Sequence, residues 1–297
     1  QNTGTLATAG GVLFAGALET PGGLKVQTIH ALCTRLLQQF PFEANVPARF
    51  AVLDDRDQNE MMERANLAVL LEAARAPDSA AGRALNIAMS AAADVTFKDV
   101  VREACLSRDH FIKWSDSVQT RERANTVLSH ALGISEAESS EELIADISHH
   151  AFSTADCRTL VARLMETGNN IDKAQAGRLS AAIDSGWPGA IDDYAEFFLK
   201  EDGAAKEDRY LLSKGIRDDF PHLLSQVRDE RDRLSPLFAR LRAARARDRA
   251  LALFVIATAA AANYRREKQE RGLLDYDDLI DKTYDMLTNV SSGWVHF

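Results

Sequence analysis

At 297 residues the chain has room for one large domain or two ordinary ones. Its composition, 46% hydrophobic and 27% charged with only 7 prolines and 16 glycines, excludes a disordered or collagen-like polymer. The net charge of −9 argues against a nucleic-acid binder until its distribution is read: Arg209–Arg271 carries 15 Lys and Arg against 8 Asp and Glu, a local +7 that leaves −16 for the remainder. Aromatics are 7% and Ala, Leu, Arg, Glu and Asp dominate, which favours helix over sheet. Cys33, Cys105 and Cys157 are odd in number and scattered, as in a reducing compartment, and no CxxC or HxxxH spacing marks a zinc site. His149 and His150 near Cys157 read as surface-helix residues rather than ligands. No run reaches the ~18 apolar residues that span a bilayer, so no membrane partner is expected.

The chain order then gives mostly helix. Residues 1–11 are small and polar and read as a linker or an appended remnant, 12–18 as the end of a helix, and 20–23 as a turn. Leu24–Thr28 alternates apolar and polar like a strand; His30–Phe40 places Leu32, Leu36 and Leu37 on one helical face; Phe50–Leu53 is a second short extended run. Helices follow over Arg56–Ala76, stopped by Pro77, from a capping signal at Thr96 and Asp99, and from Ser139 with Glu142. Three more run over about Thr154–Glu166, Asp172–Ser185 and Ala190–Lys200, with Gly168 and Gly186 in capping positions. Gly203–Gly215 reads as a polar loop. Ser235–Pro236 supplies an N-cap and a first helical position, so a helix of ~35 residues, about 50 Å, is expected up to Gly272. Its second half, Leu251–Ala262, is apolar nearly all round and should be buried. A last helix covers about Tyr276–Leu287.

These elements define a mostly α fold: a helical insertion subdomain with a remnant of an α/β motor domain contributing one or two short strands. The residues alone supply no complete active site. GxxxxGKS/T and GxGxxG loops are absent, as are serine and cysteine nucleophile motifs. The acidic pairs Asp54–Asp55, Asp192–Asp193, Asp218–Asp219 and Asp277–Asp278 read as helix starts or solvated loops.

Two segments carry more. Thr28-Ile29-His30-Ala31-Leu32-Cys33 resembles the Thr-Ile-His-x-Phe-Cys motif of the UvrD/Rep-like superfamily 1 helicases, with Leu32 in place of the commoner Phe. Leu274-Asp275-Tyr276-Asp277-Asp278-Leu279 resembles the motif that precedes the Walker B strand in these motors. With Phe40–Pro47 and Tyr210–Ile216, the likeness is narrower, to the AddA subunit of bacterial AddAB helicase–nucleases. The resemblance implies four segments: a remnant over 1–11, part of a motor domain over 12–55, a helical 1B-like insertion over 56–262, and a return to the motor over 263–297. It also implies that the nucleotide loop and the DEAQD-type Walker B motif lie outside these residues. ATP and Mg²⁺ then belong to the parent protein, and the fragment, with no cofactor of its own, is expected to be inactive alone.

The parent would be a cytoplasmic bacterial enzyme moving 3′→5′ on DNA during recombinational double-strand-break repair, with an AddB-type partner subunit. DNA, single-stranded or as a fork duplex, is the expected ligand. Thr28 and His30 would meet its backbone where a strand turns into a helix. Asp275 and Asp278 would act structurally, as an N-cap and its N3 partner. Lys214 and Arg217, with the ridge Arg242, Arg245 and Arg249 at i, i+3 and i+7, would track phosphates. Arg240 and Arg247 form a second ridge. The alternative is a helical scaffold whose main contact is a partner protein.

Overall fold

The computed structural model describes residues 27–91, 94–149, 152–186 and 189–289. The expected linker over 1–11, the helix end over 12–18, the turn over 20–23 and most of the strand over 24–28 lie outside them. Of that strand, Gln27 and Thr28 are described and belong to no strand. The first helix is α1 (Ile29–Gln39), capped by Thr28, whose hydroxyl accepts from the Ala31 amide at 3.3 Å. Strand β1 (Ala51–Val52) follows, then α2 (Asp55–Arg75), with Asp54 Oδ1 accepting the Asp57 amide at 2.8 Å.

Next come α3 (Ala80–Ala91), α4 (Asp94–Leu106), a π-helical turn at Arg108–Ile112, α5 (Lys113–Val118) and α6 (Arg121–Leu132). Helix α4 starts ahead of Thr96, so the Thr96–Asp99 signal marks its first turns rather than its cap. Helix α7 (Ser140–His149) opens on the expected capping box: the Glu142 amide donates to Ser139 Oγ at 3.0 Å, and the Ser139 amide donates to Glu142 Oε2 at 3.3 Å. Helices α8 (Thr154–Thr167), α9 (Asn170–Ser185) and α10 (Ile191–Phe198) are short and amphipathic. Helix α9 starts two residues ahead of the expected Asp172; Asn169 caps it, and Asp172 completes its capping box from within the first turn. Gly186 takes φ +73 after α9, a value that L side chains rarely adopt.

The 203–215 segment is not a plain loop. It contains α11 (Asp208–Leu211) and the start of α12 (Lys214–Asp219), pinned by buried Leu211, Leu212 and Ile216 and by an antiparallel bridge between Leu199 and Ala205. The polar majority of the segment hid these three apolar anchors. Asp218 and Asp219 therefore end a short helix instead of starting one.

Helix α13 is the largest departure from expectation. It runs over Pro221–Arg271, 51 residues, with Pro236 inside it. Pro221 occupies the first helical position, where a missing N–H costs nothing. Pro236 deletes one backbone bond, an interior cost of ~3 kcal/mol. Burial outweighs it: Val227, Leu234 and Leu241, seven residues apart, are fully buried in the core on either side of the proline. Gly272, at φ +63, stops the helix as expected. Strand β2 (Leu273–Leu274) and α14 (Tyr276–Asn289) complete the order.

The chain divides into two compact units, one from Gln1–Ala65 with Ala261–Phe297, the other Asn66–Ala260. In the first, β1 and β2 pair in parallel, Ala51 opposite Leu273 and Val52 opposite Leu274. The Leu53 amide donates to Leu274 O at 2.8 Å. Cys33, Leu37, Phe50, Leu274, Leu279 and Met286 form its core. Leu273–Leu274 was not foreseen as a strand; two residues are too few to show a period.

The second unit packs α7–α12 against the first half of α13 around Leu160, Leu179, Phe197 and Phe198. Leu251 and Phe254 of α13 meet Val118 and Ala124, with Trp114 edge-on to Phe254 at 5.5 Å. The expected burial of Leu251–Ala262 is observed for most of the stretch, with Ala262 exposed at its end. A buried polar knot in this unit centres on Glu230. Tyr194 donates to Glu230 Oε1 at 2.8 Å, and Arg233 donates to both Glu230 oxygens at 2.8 Å. Burial, then the Glu230 charge, pushes the Tyr194 hydroxyl far above its ordinary range, so it stays a donor. Tyr194→Phe should destabilise the protein by about 1.5–3 kcal/mol, the range for hydrogen bonds to charged groups. Urea denaturation checks this, and a loss below about 0.5 kcal/mol would show the knot to be inert.

Candidate nucleic-acid interface

In the first unit the two motifs meet. Thr28, itself in extended backbone, caps α1, so its side chain stands at the helix N-terminus, where backbone N–H groups face outward. His30, within the first turn, is half-buried, and its ring lies 4.8 Å from that of Tyr276, tilted by 46°. His30 is therefore an aromatic partner of the second motif. Tyr276 keeps 37% of its surface exposed. An exposed tyrosine ring beside a helix N-terminus offers a stacking face and a phosphate-binding end together.

The second motif is locked from below. Asp275 Oδ1 accepts the Asp278 amide at 2.8 Å, and Asp278 Oδ2 accepts the Asp275 amide at 3.1 Å, a complete capping box for α14. Lys268, 5% exposed, donates to Asp275 Oδ2 at 2.6 Å and to Asp278 Oδ2. Tyr264 donates to the same Asp275 oxygen at 2.9 Å. Asp275 is 1% exposed, so this carboxylate is fully enclosed by its partners. Lys268 and Tyr264 were not singled out from sequence. A lysine seven residues before an aspartate, across a helix stop, carries no periodic signal.

The remaining candidates belong to the second unit. Arg242, Arg245 and Arg249 line one recess of α13, together with Asp192, Glu196, Lys200 and Phe238. They are not equivalent. Arg245 makes a two-pronged pair with Asp192 of α10, at 2.6 and 3.0 Å. Arg242 is exposed and reaches only the Glu201 carbonyl, at 3.5 Å. Arg249 is exposed, and no hydrogen bond or ion pair engages it among the described residues. The other ridge is internal: Arg240 pairs with Glu138 at 2.5 Å, and buried Arg247 donates to the carbonyls of Ser135 and Glu138. Lys214 is exposed on α12. Arg217, on the same helix, lines a different recess.

Among the described residues no group of three or more His, Cys, Asp or Glu side chains is placed to hold a metal ion, and the sequence has no phosphate loop. No helix of the described residues is long and apolar enough to cross a membrane.

A helical unit, Asn66–Ala260, lies in sequence between the segments that supply the His30–Tyr276 contact and the parallel β1–β2 pair. A family model described as the UvrD/REP helicase N-terminal domain matches residues 16–295. The chain belongs to this family of UvrD-type helicases. No curated protein matches it.

Proposed function

We propose that the chain is the DNA-guiding part of an AddA-like, ATP-dependent helicase that serves recombinational double-strand-break repair in the bacterial cytoplasm. On this reading ATP and Mg²⁺ are bound by motifs outside residues 1–297, and an AddB-type subunit is the partner. Asn66–Ala260 is then the 1B-like insertion, and the flanking segments belong to the first motor domain. The observation that carries the reading is the tilted His30–Tyr276 ring contact beside the Thr28-capped end of α1. It offers a ring face and short polar groups to a strand held by its backbone, without sequence choice. Arg242 and Arg249 add open positive charge on the insertion.

One observation favours the scaffold reading. Arg240, Arg245 and Arg247 are held by neighbouring elements of the same unit, so part of the basic stripe is internal adhesive. Fluorescence anisotropy separates the readings. The chain should bind oligonucleotides of unrelated sequence with similar affinity, and binding indifferent to salt would favour the scaffold. The 297-residue chain should also release no phosphate from ATP, with or without DNA, because it lacks the loop and carboxylate that hold nucleotide and Mg²⁺. DNA-stimulated turnover by the pure chain would overturn that assignment.

A further inference from the structure

A second recess of the helical unit gathers four arginines and two carboxylates: Glu207, Asp208, Arg209, Arg217, Arg228 and Arg231. Asp208 is its anchor. It accepts from Arg228 Nε at 3.0 Å and again from Arg228 Nη2, and from Arg231 Nη1 at 3.1 Å. The Arg228 hydrogen bonds hold the Asp208 carboxyl below its ordinary range, so it remains charged. Arg209 pairs with Glu207 at 2.9 Å and lies over the Tyr210 ring, 4.9 Å from its centre. Arg217 differs from the other three. Its Nε is closed off from solvent and has no acceptor. The lining carries four guanidinium groups against two carboxylates, and Asp232, which accepts from Arg231 Nε at 2.7 Å, brings the surplus to +1.

Fixed guanidinium groups around an open recess match the geometry of a phosphate, which accepts paired N–H bonds from arginine. A modest turn of the Arg217 side chain toward an anion in the recess gives its orphaned N–H an acceptor. We infer that this recess binds a phosphate group, with Arg209 and Arg217 as the contacting residues and the Arg228–Asp208–Arg231 assembly as their fixed support. The assignment of that phosphate to a nucleic-acid backbone rests on the DNA-guiding reading. Pyrophosphate in solution presents the same chemistry without the polymer.

The test uses the whole 297-residue chain. Anisotropy of fluorescein-labelled single-stranded and duplex oligonucleotides is measured from 50 to 200 mM salt, and sodium pyrophosphate is titrated by calorimetry. The double variant Arg209→Gln/Arg217→Gln should lose about 10-fold or more in DNA affinity at 50 mM salt. Its salt slope should drop by about 0.9 for each phosphate contact removed. Pyrophosphate binding should disappear. Arg217→Lys keeps the charge but not the fork, and should fall between wild type and the double variant. Glu207→Gln, which releases exposed Arg209, should tighten binding several-fold; a purely structural cluster gives no gain. Circular dichroism melts confirm that each variant is folded.

Wild-type affinity of the double variant for both ligands overturns the site. Loss of DNA binding in an Arg242→Ala/Arg245→Ala/Arg249→Ala variant but not in the double variant also overturns the site, while the DNA-guiding reading stands. Loss of pyrophosphate alone overturns the backbone assignment and keeps the recess as a free-phosphate site. A wild-type chain that binds pyrophosphate at this recess but no DNA overturns the DNA-guiding reading and keeps the site.

Discussion

Lys268→Met should destabilise the first unit by about 3–5 kcal/mol, more than other single changes to exposed charges nearby. Methionine keeps the length and most of the packing of the lysine stem, so the change isolates the ammonium group. Without it, Asp275 and Asp278 lose the ammonium group they share, and Asp275 is almost wholly shielded from water. Removing one partner of a buried ion pair strands the remaining charge, and that is the source of the 3–5 kcal/mol. The loss should be local. Amide exchange should accelerate over β2 and the first turns of α14, where the capping box depends on both carboxylates. Helices of Asn66–Ala260 should keep their protection. A Lys268→Met protein within about 0.5 kcal/mol of wild type, with unchanged exchange over 273–280, would show the capping box to be self-sufficient.

The second large effect concerns DNA. Replacing Arg242, Arg245 and Arg249 together by Ala should lower affinity by about 10- to 100-fold at 50 mM salt and flatten the salt dependence. The ridge geometry sharpens this expectation. Arg245 is already engaged by Asp192, so the slope should fall by nearer two phosphate contacts than three, roughly 1.8. Asp192→Asn should act in the opposite direction, releasing Arg245 and tightening binding. The Arg245–Asp192 pair is partly exposed, so breaking it costs at most about 1 kcal/mol of stability. If the triple variant binds as wild type does while its melting temperature falls, the ridge serves the fold.

The sequence was most readable where a single helix decided its own pattern. The Ser139–Glu142 box, the Pro77 stop after α2 and the buried Leu251–Ala262 stretch all depend on neighbours within a few residues. Reading failed where distant packing overrode a local rule. Pro236 looks like a helix start because proline is costly inside one, and only the burial of Val227 and Leu234 makes its interior position tolerable. The site shows the same division. The Asp275–Asp278 box follows from residue spacing, whereas the His30–Tyr276 ring contact joins residues 246 positions apart and has no local trace. Charge counting located the arginine stripe but could not separate open Arg242 and Arg249 from engaged Arg240, Arg245 and Arg247. That distinction depends on which carboxylates the neighbouring elements present.

The parallel pairing of β1 with β2 also orders events in time. Parallel strands cannot be joined by a tight turn, and here the connection is the entire helical unit, some 220 residues. During synthesis β1 emerges early and waits for a partner made more than 200 residues later. Helices of the insertion depend on nearby residues and can form within that interval. Loop-closure entropy grows only slowly, by about 0.6 kcal/mol for each doubling of length, so a collapsed insertion makes the final pairing cheaper by shortening the effective gap. Mutations that slow the insertion would then appear as delayed closure of a strand pair they never touch. A nascent chain stalled before Leu273 would present β1 as an unsatisfied edge.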